Sequence, residues 1–218
     1  MPVSAKPIAL LSLLLVAAAG CAGSVEDDPI DEAAAASTSV AAYDAVIRNG
    51  TKVDTVSTEA ASLSASTRLL GWIPRATPSR VLEQLFAVSK WPEIRDAEGE
   101  QPFTAASVLS RSGTGDTRNL TVKLALSAGI ELSVRATSKR EDEKIVVSFV
   151  NTSGYSHWFM GTILESRKLE INLQLIPYKD GVIVDATAKA KLAQMESRAP
   201  ELTRSIQPIF EWTKKNTR

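Results

Sequence analysis

Apolar and polar residues alternate through most of the segment between residues 103 and 192. Leu120, Val122 and Leu124, for example, are separated by Thr121 and Lys123. The same period of two recurs in four later stretches, at 130–137, 145–149, 169–175 and 184–191. Successive side chains of a strand point to opposite faces of a sheet, so this period predicts a run of antiparallel strands. One face of the sheet is expected to be buried and the other wet.

Short polar segments separate these strands. Segment 112–116 has two glycines, but no lysine follows them, so it lacks a residue that phosphate-binding loops use and is predicted to be a turn. Segment 140–143 is charged at every position, and Lys-Asp-Gly at 179–181 is typical of a hairpin turn. On the strands next to these turns, Glu131, Glu170 and Asp185 are expected on the wet face.

Helices are predicted on both sides of the strand run. Thr77 can cap a helix that Pro78 begins, and this helix follows a strand at 69–73. A shorter helix is predicted at 39–49, before weak strand signals at 52–57. At the other end, Pro200 can begin a long amphipathic helix, which Pro208 is expected to kink. The segment 155–165 is either an extra strand or the end of the preceding one.

The order strand, helix, about six strands and long helix resembles the START-like (SRPBCC) superfamily, which includes polyketide cyclases and lipid-transfer domains. The resemblance rests on residues 72–82 with Trp91-Pro92-Glu93, and on residues 173–177 followed by Asp180-Gly181-Val182. It covers roughly residues 62–215. It implies an α+β helix-grip fold: a curved antiparallel sheet of about six to seven strands around the C-terminal helix, within a domain at 41–218.

In such a fold, the space between the sheet and the last helix is a natural apolar cavity. Small inward residues, among them Ala105 and Ala136, leave room there, or they let the helix pack closer and fill the core. The predicted cavity residues are Phe149, Trp158, Leu132, Val134, Leu173, Ala186, Ala188, Ile206 and Phe210. The aromatic members either line a ligand entrance or belong to the core.

The N-terminus carries a second resemblance. Lys6 is followed by a short apolar run at 8–19 and by Gly20 and Cys21, the only cysteine. The pattern resembles a bacterial lipoprotein signal peptide, which implies that residues 1–20 are removed and that Cys21 is lipidated. Residues 21–40 would then form a flexible tether. Without lipidation, the pattern would fit an ordinary secreted protein in which Cys21 is incidental.

The charge pattern narrows the class of partner. Five of the 25 acidic residues lie between residues 26 and 32, and without them and Lys6 the body carries 24 basic and 20 acidic residues. That small surplus does not suggest nucleic-acid binding, which usually shows a concentrated basic stripe. We expect a monomeric body on a lipid anchor in the cell envelope. Ala22 after the cysteine resembles the pattern of the outer membrane of Gram-negative bacteria.

Few residues suggest catalysis. His157 is the only histidine, and the single cysteine is the predicted anchor, so we expect no catalytic triad, metal site or cofactor. Three functions stay open. The first is a protein that binds or transfers a hydrophobic molecule or lipid. The second is an enzyme of the cyclase or aromatase kind, which would need polar groups in the cavity. The third is an interaction module of the envelope with a filled core.

Overall fold

The structure is a computed structural model that describes residues 40–57, 64–127, 129–157, 161–192 and 199–217. Its helices are α1 Val40–Asn49, α2 Pro78–Leu85 and α3 Ala199–Thr217, with a 3₁₀ helix at Val88–Glu93 after α2. None of the helices within these ranges is both long and apolar enough to cross a membrane. Cys21, the signal segment 1–20 and the tether, apart from its last residue, lie outside the described residues.

The described strands form one antiparallel sheet of nine. In chain order they are β1 Lys52–Ser57, β2 Ser64–Pro74, β3 Phe103–Thr114, β4 Thr117–Leu126, β5 Glu131–Glu141, β6 Lys144–Asn151, β7 Tyr155–His157, β8 Gly161–Tyr178 and β9 Gly181–Leu192. Eight lie side by side in the order β1-β2-β9-β8-β6-β5-β4-β3, and β7 pairs with the first part of β8. The three predicted turns connect β3 to β4, β5 to β6 and β8 to β9.

This architecture is an α+β helix-grip fold, in which a curved antiparallel sheet holds the C-terminal helix. The predicted fold class is confirmed. The strand number is higher than the predicted six to seven because β1 adds an edge strand beside β2 and β7 adds a short hairpin partner to β8. The ambiguous segment 155–165 therefore contains β7 and the start of β8, and residues 158–160 within it lie outside the described residues.

The concave face of the sheet carries the main core. Alternate residues of β4 and β6, such as Leu120, Val122, Ile145 and Val147, are almost completely buried there. They form one apolar cluster with residues of α2, the 3₁₀ helix and α3. Burial of apolar surface is the main favourable term in folding, so this layer of helices on the sheet supplies most of the stability.

The convex face is not uniformly wet. Val46 of α1 packs with Leu70 and Ile183 in a second apolar cluster, which covers part of the outer surface of β2 and β9. The expectation for Asp185 is therefore wrong: its side chain is only 13% exposed and forms an ion pair with Arg68. Away from α1 the expectation is right, since Glu131 is 62% exposed.

The edge strand β3 departs from the predicted alternation. Ala105, predicted to face inward, is exposed, as are Val108 and Leu109. The pairing register of β3 with β4 shifts twice, between Phe103 and Ala105 and between Val108 and Ser110. Each extra residue reverses the face on which the next side chain lies, so an alternating pattern cannot be extended through the strand.

A buried amide holds the irregular part of β8 in place. Asn151 is fully buried, and its side-chain NH₂ donates to the carbonyl oxygens of Ser153 and Glu165 at 2.8 and 2.7 Å. Its Oδ1 accepts from the N–H of Leu169 at 2.8 Å. The pairing of β8 with β9 is irregular between Leu164 and Leu169, so the Asn151 side chain supplies hydrogen bonds where the regular ladder is interrupted.

Candidate functional site

A small apolar cavity lies where α2 and α3 meet the concave face of the sheet. Its lining residues are Val81 and Leu85 of α2, Ile206, Ile209, Phe210 and Thr213 of α3, and Leu69, Leu173, Val184 and Ala186 of the sheet. The position is the one that the resemblance implied for a ligand. Among the described lining residues, every side chain except that of Thr213 is apolar.

Local sequence fixes the α2 side of the cavity. The Oγ1 of Thr77 accepts a hydrogen bond from the N–H of Arg80 at 3.4 Å, and Pro78 occupies the first turn, where no N–H is needed. The helix that begins there turns Val81, Leu82 and Leu85 inward, and all three are buried. Two of them, Val81 and Leu85, therefore reach the cavity.

A glycine determines how α3 lies on the sheet. Gly71 is buried in β2 between the inward-facing Leu69 and Ile73. A Cβ at position 71 would overlap the ring of Phe210, so the missing side chain is what lets this ring lie against the strand. Phe210 fills the space that an ordinary residue in β2 would occupy and limits the size of the cavity.

The cavity is small in this conformation. Its volume is about 20 Å³, room for one water molecule. A pocket for a drug-sized ligand is far larger, roughly 300–1,000 Å³. The small side chains of Ala186 and Ala188 thus do not leave a large void. A ligand larger than water requires α3 or the Phe210 ring to move away from the sheet.

One residue of the lining, Thr213, carries a buried hydroxyl without a hydrogen-bond partner. The Thr213 side chain is 2% exposed, and its Oγ1 has no hydrogen-bond partner. Two other buried hydroxyls have partners: Thr217 Oγ1 donates to the carbonyl oxygen of Thr213 at 2.7 Å, and Ser138 Oγ donates to that of Asp116 at 2.9 Å. The buried Nε1 of Trp72 has no partner either. Thr213 Oγ1 is thus one of two buried side-chain atoms without a partner among the described residues, and it does not lie on the cavity surface, which is entirely apolar.

The predicted cavity residues fall into three groups. Leu173, Ala186, Ile206 and Phe210 line the cavity. Leu132, Val134, Phe149 and Ala188 are buried in the same apolar cluster but do not line it. Trp158 lies outside the described residues. Of His157, only the backbone is described, in β7.

Phe149 belongs to an aromatic group at the other end of α2. Its ring lies 6.0 Å from that of Phe86 and 5.8 Å from that of Trp91, between centroids. Trp91 also contacts Phe103 at 5.1 Å and donates its indole N–H to the carbonyl oxygen of Leu85 at 3.2 Å. These contacts attach the 3₁₀ helix and the end of α2 to the sheet, next to the cavity.

A polar cluster attaches the start of α2 to the β3–β4 hairpin. The Arg140 guanidinium donates to Asp116 Oδ2 through Nε and Nη2, at 2.9 and 2.6 Å. The same Nη2 lies 3.3 Å from Ser79 Oγ on α2. Burial raises the pKa of Asp116, but the hydrogen bonds from Arg140 and Ser79 outweigh it and hold the pKa below its ordinary value. The cluster therefore links α2, β5 and the β3–β4 hairpin.

The titratable groups of the convex face form a separate cluster away from the cavity. Arg68 donates from Nε and Nη2 to the two carboxylate oxygens of Asp185, at 2.8 and 2.6 Å. The hydrogen bonds to Asp185 raise the pKa of Arg68, while burial raises the pKa of the nearby Tyr43. In the part of the chain that is described, no three His, Cys, Asp or Glu side chains are grouped as metal ligands.

Several lining residues were not predicted. Val81, Leu85 and Ile209 lie on amphipathic helices, and their spacing indicates a buried face without showing which neighbour each contacts. Thr213 follows Ile206 by seven residues and Phe210 by three, so helical periodicity places it on the same face. The available signal was a threonine at a position that helical spacing assigns to the buried face.

Comparison with known proteins gives fold similarity alone. No family model matches the chain, and no curated protein is similar to it in sequence. Among solved structures, human STARD10 is similar over 77% of this chain and 69% of its own length, at 6% identity and a TM-score of 0.49. A START superfamily protein from Mycobacterium smegmatis covers 71% of this chain and 96% of its own, at 8% identity and a TM-score of 0.43.

A plant protein is also among the solved structures with a similar fold. The major latex-like protein 151 of Panax ginseng is similar over 71% of this chain and 98% of its own, at 12% identity and a TM-score of 0.45. These values describe distant similarity of architecture. No ligand or activity is transferred from these proteins to this chain.

Proposed function

We propose that this domain binds a hydrophobic small molecule or lipid between α2, α3 and the sheet, and that a lipidated Cys21 holds it at a membrane outside the cytoplasm. The observation that carries the binding proposal is the cavity itself, with an apolar lining where two helices meet the sheet. Burial of an apolar ligand against that lining provides the driving force. The protein acts as a monomer, without metal or cofactor.

Opening of the cavity is part of the proposal. Pro208 lies in the middle of α3, between the lining residues Ile206 and Ile209. Proline has no N–H, so α3 lacks one internal hydrogen bond at this level. The two halves of the helix can therefore shift relative to each other at lower cost. Displacement of the Phe210 ring from Gly71 would add space for a ligand.

The binding test uses the chain from residue 21 onward with Cys21→Ser, so that acyl groups of the anchor do not enter the lipid extract. Native mass spectrometry and lipid extraction would reveal a co-purified apolar molecule, and a dansyl-labelled fatty acid would report binding in its absence. We expect a stoichiometric adduct or saturable binding of the probe. A clean mass together with no probe binding would contradict the proposal.

A matched pair of variants locates the ligand. Ala186→Val adds two methyl groups at the lining, whereas Ala136→Val adds the same groups in the same core away from it. Both overpack the core and are expected to cost about 1–3 kcal/mol. Only Ala186→Val should weaken binding of the probe. Equal effects of the two variants would show that the probe binds elsewhere.

A filled core favours the second candidate, an interaction module of the envelope. The observation behind it is the cavity volume of about 20 Å³, which is small for a ligand pocket. A clean mass and no probe binding would support it. The cyclase alternative has no observation in its favour among the described residues, because no titratable side chain lines the cavity.

A further inference from the structure

We propose that one end of the convex face docks on an anionic phospholipid bilayer through a group of cationic side chains. This surface is separate from the cavity, and the proposal rests on the proposed function only because that function places the domain at a membrane. The group, called the basic end below, has members on three strands: Arg135 of β5, Arg167 and Lys168 of β8, and Lys189 and Lys191 of β9. All five side chains are exposed or partly exposed.

The lysines of β9 lie on the convex face. Lys189 and Lys191 alternate with Ala188 and Ala190, which are buried on the concave side of the strand. Successive side chains of a strand point to opposite faces, so both lysines point away from the helices that cover the concave face. They lie two residues apart, which is about 7 Å along the strand.

Arg135 lies on the same face, level with Lys189. In the register of the sheet, Arg135 is opposite Val150 of β6, and Val150 is opposite Glu170 of β8. Glu170 is in turn opposite Lys189. Neighbouring strands are about 4.8 Å apart, so the positions of Arg135 and Lys189 are separated by roughly 14 Å. Their side chains can therefore contact one flat surface from different strands.

The irregular part of β8 adds two further cations beside Lys191. Four residues of β8, at 165–168, stand opposite this one residue of β9, and they include Arg167 and Lys168. The buried amide of Asn151 bonds to backbone groups at the start of this segment and directly after its end, so it holds the segment in one conformation. The bulge thus presents both cations on a fixed backbone.

The basic end differs from the rest of the convex face in its charge partners. In the part of the chain that the structure describes, none of its five cations forms an ion pair or a side-chain hydrogen bond. An unpaired cation keeps its attraction for an external anion, whereas a paired one is already compensated. Six other cations of this face are ion-paired with carboxylates: Lys52, Arg68, Lys123, Lys139, Lys144 and Lys179.

The basic end has a surplus of positive charge. Its acidic neighbours on β8 are Glu165 and Glu170, so five cations and two acids give a net charge of +3. Glu170 is opposite Lys189, but its Oε1 accepts from Asn172 Nδ2 at 2.7 Å. Each cation close to an anionic bilayer adds about fivefold to the affinity. The surplus therefore attracts a negatively charged surface.

The connection of the body to the proposed anchor favours a bilayer as that surface. The chain from Cys21 enters the body at Val40, the start of α1, and α1 packs on the convex face through Val46. From Cys21 to Val40 the chain spans at most about 65 Å when extended. A bilayer that holds acyl chains at Cys21 is therefore within reach of the basic end, whereas α2 and α3 cover the concave face.

The test measures binding of the chain from residue 21 with Cys21→Ser to lipid vesicles by co-sedimentation. One set of vesicles contains equal amounts of phosphatidylglycerol and phosphatidylcholine, and the other contains phosphatidylcholine alone. We expect binding to the anionic vesicles that weakens as salt is added, because exposed charges are screened. We expect no binding to phosphatidylcholine alone. Absence of binding to the anionic vesicles, or equal binding to both sets, would overturn the proposal.

Two double variants test the two parts of the basic end. Lys189→Gln with Lys191→Gln removes the cations of β9, and Arg167→Gln with Lys168→Gln removes those of β8. Each pair should weaken binding to the anionic vesicles about 25-fold, which is about fivefold for each cation. Unfolding midpoints should stay close to that of the wild type, because such surface substitutions have small effects on stability. Unchanged vesicle binding of either folded variant would overturn the proposal.

Lys52→Gln with Lys139→Gln is the matched control. It removes two cations from the other end of the same face, so the change in net charge is identical. Both side chains are well exposed, by 66% and 72%, and both are ion-paired. Binding should stay within about twofold of the wild type. A loss equal to that of the basic-end variants would mean that net charge alone governs binding, and the proposal would fail.

A DNA duplex is the competing polyanion. If DNA binds as tightly as the anionic vesicles and the same variants weaken it, the basic end binds anions in general and the assignment to a bilayer is wrong. Because Cys21 is replaced by serine throughout, failure of lipidation in the host would leave the vesicle result unchanged. Absence of vesicle binding would, conversely, leave the cavity and the lipid anchor as proposed.

Discussion

At Gly71 the ring of Phe210 lies against the backbone of β2. This contact predicts that adding a single methyl group at position 71 destabilises the fold. Gly71→Ala places a Cβ inside the ring of Phe210, so the ring must leave a position where it is only 5% exposed. We expect a loss of about 1–3 kcal/mol in the free energy of unfolding, as for other overpacked cores. Urea denaturation of the variant measures it.

A double-mutant cycle identifies the cause of that loss. Phe210→Leu shortens the side chain, so Gly71→Ala should cost much less in the Phe210→Leu background than in the wild type. The coupling between the two sites is expected to exceed about 0.5 kcal/mol, as for residues in contact. Additive effects would mean that Gly71 is required for a reason other than the position of the ring.

The ion pair between Arg68 and Asp185 gives a second prediction at this scale. The Asp185 side chain is 13% exposed, so Arg68→Met removes two charge-assisted hydrogen bonds from a carboxylate that water reaches poorly. We expect a loss of about 2–3 kcal/mol, just below the range of a fully buried pair. Thermal and urea unfolding of Arg68→Met measure it.

Two further variants complete the measurement. Arg68→Met with Asp185→Leu replaces both charges by apolar groups and should recover most of the loss, because no uncompensated charge is left. Lys52→Met removes an ion pair with Asp54 whose side chains are 66% and 51% exposed, and it should cost no more than about 1 kcal/mol. Equal losses of unfolding free energy for Arg68→Met and Lys52→Met would contradict the expectation that the less exposed ion pair contributes more to stability.

At the scale of elements, the contact between α2 and the β3–β4 hairpin is expected to weaken at acidic pH. The pKa of Asp116 is lowered in the folded protein. A carboxyl with a lowered folded pKa stabilises the fold fully above its unfolded pKa and loses that contribution as the pH falls through the folded pKa. We expect Asp116→Asn to cost about 1 kcal/mol at neutral pH. The difference from the wild type should shrink below about pH 4.

Urea unfolding of the wild type and Asp116→Asn at neutral and acidic pH tests this expectation. Glu131→Gln is the matched control, since Glu131 is 62% exposed in its ion pair with Lys123 and should contribute little at either pH. A difference between wild type and Asp116→Asn that stays constant down to acidic pH would show that the loss comes from packing rather than from the charge.

The elements that the sequence predicted are those whose pattern is local. Strands β4, β5, β6 and β9 and the second half of β8 alternate cleanly, and α2 carries its own start signals at Thr77 and Pro78, so these elements were predictable. The position of α1 was not, because the sequence of an amphipathic helix indicates a buried face but not the surface it covers. Asp185 is largely buried because α1 covers the outer surface of β2 and β9.

The cavity was predictable in place but not in size. Its position follows from the fold, whereas its volume depends on whether Phe210 can enter the space left by Gly71, which is a contact between residues 139 positions apart in the chain. Small residues such as Ala186 and Ala188 are compatible with a void and with close packing. Only the three-dimensional arrangement distinguishes a void from close packing, and the structure has a nearly closed core.

At the scale of the whole molecule, the body and the anchor are expected to act separately. Within the described residues, the two main apolar clusters are built from residues of the sheet and of the helices that pack on it. Membrane attachment is proposed to depend on acyl chains at Cys21, each buried CH₂ of which contributes about 0.8 kcal/mol. Loss of the anchor should therefore change location without changing the stability of the domain.

Cys21→Ser in the full chain tests this separation in a bacterial host. We expect the wild type in the membrane pellet after a carbonate wash and labelled by an alkyne fatty acid, and the variant unlabelled and outside the pellet. Both should have the same unfolding midpoint, and Ala22→Ser, next to the cysteine, should behave as the wild type. An unlabelled wild type, or a variant that stays in the pellet, would contradict lipidation as the means of attachment. Density-gradient separation of the labelled membranes would then distinguish the outer membrane from the inner one.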